Sequence, residues 1–224
     1  MTPSRQNGHS KSKRVLIVDD HPVLRKGLGR LIDSKNEFSV CGEAGDAAEA
    51  LDLIRKLEPD LAIVDISLPG INGIELTKTI RKEFPKLSVL ILSVHEEQLY
   101  ALRALRAGAM GYIVKQDAIE NITAALREVS QGRRYISAVL AGIATNPDVE
   151  LGDGADPAAI LSDRELEIFE LIGNGHEVRE ISNALGLSPK TVETHRTNIK
   201  DKLKLKNARH VARLAVQWTS EHSA

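Results

Sequence analysis

Residues 15–28 read VLIVDDHPVLRKGL: four aliphatic residues in a row, two aspartates, then a proline-led stretch with helical spacing. An apolar strand without polar alternation is one buried on both faces, as in a parallel sheet covered by helices. The pattern recurs along the first half of the chain. Strands are expected at Val15–Val18, Phe38–Glu43, Leu61–Val64, Leu87–Leu92 and Gly111–Val114. Helices are expected between and after them, at Pro22–Ser34, Ala47–Leu57, Gly73–Glu83, Glu96–Ala107 and Ala118–Gln131. Within the second of these, Ala47, Ala50, Leu51 and Ile54 fall at i, i+3, i+4, i+7, which lines one helix face. Five βα units in succession predict a parallel sheet with right-handed crossovers, an α/β fold of the flavodoxin-like (βα)5 kind. Ligands of such sheets bind at the carboxyl ends of the strands.

The totals frame this reading. The chain has 224 residues, 42% hydrophobic and 27% charged, with a net charge of −1. That is an ordinary globular composition for one or two domains, and any attraction for nucleic acid must be local. Cys41 is a lone cysteine in an apolar run, so it forms no intrachain disulfide and reads as a structural thiol in a reducing compartment. The basic, polar residues 1–13 lack a hydrophobic core and are expected to be a disordered tail rather than a secretory signal. No stretch approaches the ~18 apolar residues of a membrane helix, so a cytoplasmic protein with no membrane partner is expected. Residues 132–158 are expected to connect two domains, with a Gly, Pro, Asp and Asn-rich linker from Ala141 to Ala158. Beyond it, helices are expected at Asp163–Gly173, Val178–Leu185, Pro189–Leu203 and Ala208–Thr219, with no strand among them. The plan is thus a larger α/β domain over 14–131 and a small all-α domain over 159–221.

Four of the five strands run into a polar residue at the same sheet edge: Asp19 and Asp20, Asp65, Ser93 and Lys115. Three carboxylates on one edge repel each other unless a cation lies among them. Hard oxygen ligands with an open face suit Mg²⁺ (or Mn²⁺), which keeps waters and meets a phosphate. A carboxylate held beside such an ion can attack phosphorus, and an ammonium and a hydroxyl nearby would hold the phosphoryl oxygens.

VLIVDDHPVLRKGL (15–28), VDISLPGINGIEL (64–76), ILSVH (91–95) and AGAMGYIVK (107–115) resemble the receiver domains of two-component response regulators. The resemblance implies that Asp65 is the phosphoacceptor. It implies that Asp20, Asp65 and the carbonyl of Ser67 bind the metal, with Asp19 acting through water. Ser93 and Lys115 would hold the phosphoryl group, and Tyr112 would be the switch aromatic that turns inward as Ser93 moves. Gln116 stands where many receivers have proline, with Asp117 as a candidate N-cap of the next helix. Gly70 and Gly73 need only be turn residues.

LSDRELEIFELIGNG (161–175) opens with a capping box, Ser162 and Glu165. A short helix, the Gly186-Leu187 turn, and a longer helix capped by Ser188 with Pro189 at its first position make a helix-turn-helix pattern. From Ser188 to Arg213 there are eight basic and two acidic residues, against two basic and six acidic from Leu161 to Leu187. The near-neutral total therefore hides a basic stretch suited to phosphates. These segments resemble the LuxR-type domain of NarL/FixJ response regulators. The resemblance implies base-edge contacts by Lys190, Glu193 and Thr194, with Thr191, His195, Arg196, Lys200 and Lys202 touching phosphate or supporting the helix. It implies pairing of the last helix with its twin through Val211, Leu214, Ala215 and Trp218, although core packing fits part of that stripe equally. A homodimer on promoter DNA, a sensor histidine kinase as donor and RNA polymerase as neighbour are the partners expected, and no steady-state enzyme activity beyond the receiver's own phosphorylation and dephosphorylation. Two rival readings stand beside this one. A haloacid-dehalogenase-type phosphatase would need a second Asp where Ser67 stands. A phosphorylation-independent regulator would not need the Asp20–Asp65–Ser93–Lys115 set.

Overall fold

The computed structural model describes residues 12–94, 98–136 and 156–222. The first domain alternates strand and helix: β1 (Lys13–Val18), α1 (Pro22–Asp33), β2 (Phe38–Ala44), α2 (Ala47–Leu57), β3 (Leu61–Asp65), α3 (Gly73–Glu83), β4 (Ser88–Ser93), α4 (Gln98–Arg106), β5 (Gly111–Val114), α5 (Ala118–Ser130) and β6 (Tyr135–Ile136). The strands are all parallel, in the order β2-β1-β3-β4-β5-β6. Each strand's side chains alternate between two apolar layers. Val15, Ile17, Leu61, Ile63, Leu90 and Ile113 pack under α1 and α5. Leu16, Val18, Ala62, Val64, Ile91 and Tyr112 pack under α2, α3 and α4.

The second domain consists of α6 (Pro157–Ile160), α7 (Asp163–Gly173), α8 (Val178–Ala184), α9 (Pro189–Lys202) and α10 (Ala208–His222). Local chemistry sets its boundaries. Ser162 and Glu165 close the expected capping box on α7. Ser188 accepts from the Thr191 amide at 3.0 Å, with Pro189 beginning α9. Gly186, at φ +60°, makes the turn between α8 and α9. The apolar layer on the α3–α4 face of the sheet continues without a break through Leu161, Leu166 and Phe169 to Ile199 and Trp218, so the two domains share one core.

Three expectations need correction. The sheet has a sixth strand, because Tyr135–Ile136 adds two residues to the β5 edge, too few to show a period. Asp117 does not cap α5 with its side chain; it ends a short 3₁₀ turn, Lys115–Asp117, that leads straight into the helix. Gly73 is more than a turn residue: a Cβ there would lie 1.9 Å from the carbonyl oxygen of Asp65. His95 and most of the expected 141–158 linker lie outside the described residues.

Candidate functional site

The carboxyl edge of the sheet gathers the residues that the strand ends foretold. Asp19, Asp65 and Ser93 are buried there, while Asp20 is partly open to solvent. Lys115 Nζ lies 2.8 Å from Asp65 Oδ2 and 2.8 Å from Asp19 Oδ2, bridging two carboxylates. Burial raises the Asp65 carboxyl to a pKa of about 6; Lys115 opposes this and Asp19 adds to it, while the Ser67 amide donates to it. Burial disfavours the charged form of Lys115, yet its pKa is raised, because the attraction of Asp65 and Asp19 outweighs burial. One ligand atom from each of Asp19, Asp20, His21 and Asp65 falls within 4.8 Å of the others. Three carboxylates and one ammonium leave a charge of −2, which a hard dication fits. His21 is the member that strand-end reading missed: its Nδ1 is 2.5 Å from Asp20 Oδ1, and its place directly after the aspartates was the available signal.

The second candidate surface is α9. Lys190, Glu193, Thr194 and Lys202 are exposed, and Thr191, His195, Arg196 and Lys200 are half-buried. Val192 and Ile199 are buried on the opposite face, which fixes which side looks outward. Arg196 pairs with Glu193 at 2.9 Å, so the Glu193 carboxylate is held rather than free to swing. Lys202 bonds Glu165 at 2.6 Å and thereby ties the end of α9 to the start of α7. Burial lowers the pKa of His195, disfavouring the charged imidazole.

The response regulator receiver domain model matches residues 15–127, and the LuxR family of bacterial regulatory proteins matches residues 159–215. The response regulator GacA of Pseudomonas aeruginosa is 37% identical over 204 residues, 91% of this chain and 95% of its own. The chain is a two-component response regulator of the NarL/FixJ family. Its receiver is coupled to a LuxR-type DNA-binding domain, and it acts in transcription regulation. A LuxR-family regulator from Aurantimonas is similar in structure, with a TM-score of 0.57 at 38% identity over 58% of this chain and 94% of its own. RcsB of Salmonella typhimurium also gives 0.57, at 26% identity over 91% of this chain and 98% of its own. In this regulator the second domain packs directly against the receiver.

That placing is specific. Arg164 of α7 donates to the carbonyls of Leu68 and Gly70, both at 2.8 Å, in the loop that leaves Asp65. It also pairs with Glu167 at 2.7 Å, and Asn72, which caps α3, donates to the same Glu167 oxygen at 3.2 Å. Asp163 binds Arg103 of α4 at 2.5 Å and Lys78 of α3 at 2.9 Å. These two cations outweigh burial and hold the Asp163 carboxyl below its ordinary range. Tyr100 donates to Glu170 at 2.6 Å. A Cβ on Gly186 would meet Pro69 of the receiver loop at 2.6 Å. In this closed form Tyr112 is already fully buried, so the expected inward turn has no exposed starting position. Val211, Ala215 and Trp218 are likewise buried in the regulator's own core, and Leu214 partly so. The expected pairing stripe is therefore chiefly a packing stripe, and the open side of α10 carries Val216, 52% exposed.

Proposed function

We propose that Asp65 accepts a phosphoryl group and that this event undoes the clamp between receiver and DNA-binding domain. A sensor histidine kinase or a small acyl phosphate is the donor; an Asp65 oxygen bonds to phosphorus as the donor's bond to it breaks. Asp19, Asp20, Asp65 and the Ser67 carbonyl are the residues that would hold Mg²⁺ or Mn²⁺, which neutralises phosphoryl charge when bound. Lys115 is the group placed to follow charge from the Asp65 carboxylate to a phosphoryl oxygen. Ser93, buried at the end of the neighbouring strand, is placed to donate to another.

The observation that carries this reading is Arg164. It reaches from the DNA-binding domain to two carbonyls within five residues of Asp65. Any rearrangement of that loop around a phosphoryl group is therefore felt at α7, and α7 holds α9 through Glu165 and Lys202. Release frees the second domain to pair on a promoter as a homodimer, in the cytoplasm and beside RNA polymerase. Lys190, Glu193 and Thr194 are the base readers in this scheme, with Thr191, His195, Arg196 and Lys200 in support. The test is selection of DNA from a random library with Mg²⁺ and acetyl phosphate, using wild type and Asp65→Asn. Wild type should enrich a two-fold symmetric site and the variant should not. Equal enrichment by both makes the receiver a passive module, and steady turnover of phosphate esters revives the phosphatase reading.

A further inference from the structure

Lys190, Glu193, Thr194 and Thr197 fall at i, i+3, i+4, i+7 along α9, and all four are exposed. They form one ridge on the side away from the buried Val192 and Ile199. The chemistry along this ridge is uneven. The Thr194 and Thr197 hydroxyls donate to the carbonyls of Lys190 and Glu193, both at 3.0 Å, so their protons are engaged with the backbone. Lys190 is a donor only, and Glu193 is the one ionised acceptor. Its charge is the difficulty, because a lone carboxylate entering a groove walled by phosphates is repelled. Arg196 offsets that charge. Its Nη1 donates to Glu193 Oε1 at 2.9 Å, which makes the pair neutral and leaves Oε2 outside that bond. The Arg196 side chain is 25% exposed and that of Glu193 57%, so the guanidinium is the shielded partner and the carboxylate the open one. An exposed pair of this spacing adds little to stability. What the contact chiefly fixes is where the carboxylate sits.

We propose that Glu193 specifies a cytosine in each half-site of the operator, with Arg196 as its positioning residue. The inference rests on α9 being the DNA reader. In the major groove a carboxylate can accept only from the exocyclic amino groups, cytosine N4 and adenine N6. Adenine sets its N7 lone pair beside N6, where it faces the carboxylate unfavourably. Cytosine has no acceptor of its own beside N4 on that edge. Guanine offers two acceptors there, and thymine an acceptor and a methyl group, so neither gives Glu193 a donor.

The full-length protein, with Mg²⁺ and acetyl phosphate, is used to select DNA from a random library. Affinities for duplexes altered at single positions are then measured by fluorescence anisotropy. Wild type should enrich a two-fold symmetric site with cytosine at one position of each half-site, and any other base there should weaken binding at least about fivefold. A glutamine can bond adenine N6 and N7 together. Glu193→Gln should therefore move that one position from cytosine to adenine and leave the other positions as they are. Arg196→Met should relax the cytosine preference to less than about twofold while the rest of the site keeps its preferences. If Arg196→Met instead weakens binding equally on all sequences, with the salt slope reduced by about one, Arg196 is a phosphate contact and its positioning role is overturned. If Glu193→Gln enriches the same site as wild type, the cytosine assignment is overturned while α9 keeps its place as the reader. If wild type enriches no sequence, the reading of α9 as the DNA reader fails, and the cytosine assignment fails with it.

Discussion

Asp65 occupies a position that is electrostatically expensive until something binds there. Its carboxyl is raised from the ordinary 3.8 to about 6 by burial first, and the nearby Asp19 charge adds to this against Lys115. A carboxyl raised in the folded state favours folding while protonated, and that contribution is lost as pH rises through about 6. At ~1.4 kcal/mol per pKa unit, the ionised folded form carries a penalty of about 3 kcal/mol. Asp65→Asn should therefore stabilise the metal-free chain at pH 8, by roughly 1–3 kcal/mol in urea denaturation. The advantage should shrink towards pH 5 and shrink again on adding Mg²⁺ at pH 8. An advantage independent of pH would mean the gain is not electrostatic. Gly73 sets a steric limit on the same site. Its missing side chain lets α3 start 1.9 Å (measured to an added Cβ) from the Asp65 carbonyl oxygen, and a backbone atom cannot yield as a flexible side chain can. Gly73→Ala should cost roughly 3 kcal/mol or more and slow phosphorylation by acetyl phosphate. An unchanged denaturation midpoint would show that the loop has slack. Asp19, Asp20, Asp65, Ser93 and Lys115 were legible because polar residues at successive strand ends must share one edge. Gly73 was not, since turn glycines and close-approach glycines look alike in a sequence.

At the level of elements, α7 and α10 differ most from their sequence pattern. Apolar spacing located both to within a few residues. Charges set between apolar positions, as in the DRELE segment of α7, usually face water. In the folded chain Asp163, Arg164, Glu165 and Glu167 are all at most 7% exposed. Their partners, except Lys202, lie 60 to 96 residues away or within the helix itself, and nothing local announces contacts of that range. The α10 stripe was ambiguous for a related reason: a helix carrying apolar residues on one face does not say which neighbour the face meets. Its two sides can be separated by experiment. Trp218 packs edge-on to Phe169 with centroids 6.1 Å apart, stacks on His222 at 4.2 Å and donates to Asp156. Trp218→Ala should destabilise the second domain by about 3–5 kcal/mol. Val216→Glu should leave the unfolding midpoint within ~0.5 kcal/mol, as surface changes do. If α10 pairs through its open side, Val216→Glu should weaken binding to a two-half-site duplex at least fivefold while leaving a single half-site unaffected. Equal loss on both duplexes would place Val216 in DNA contact instead.

Over the whole molecule, the interdomain clamp holds the loop that the proposed phosphorylation of Asp65 would rearrange. Linkage requires that whatever phosphorylation does to domain opening, opening does to phosphorylation. Arg164→Ala removes the guanidinium that holds the Leu68 and Gly70 carbonyls. Gly186→Asn keeps a residue type that tolerates positive φ but adds the Cβ that meets Pro69. Both should bind a two-fold site at least fivefold tighter than wild type without phosphodonor, and both should take phosphate from acetyl phosphate at a higher level. Tighter DNA binding without any change in phosphorylation would break the linkage and leave the clamp a merely structural contact. Closure has a further effect through α9. Lys190 stays in solvent in the closed form, and the stretch from Ser188 to Arg213 carries eight basic residues against two acidic. Such a surface exchanges counterions with any duplex regardless of sequence, with an affinity that falls steeply as salt rises. The resting protein is therefore expected to dwell on the chromosome between signals, so that activation begins with a short slide rather than a search from free solution.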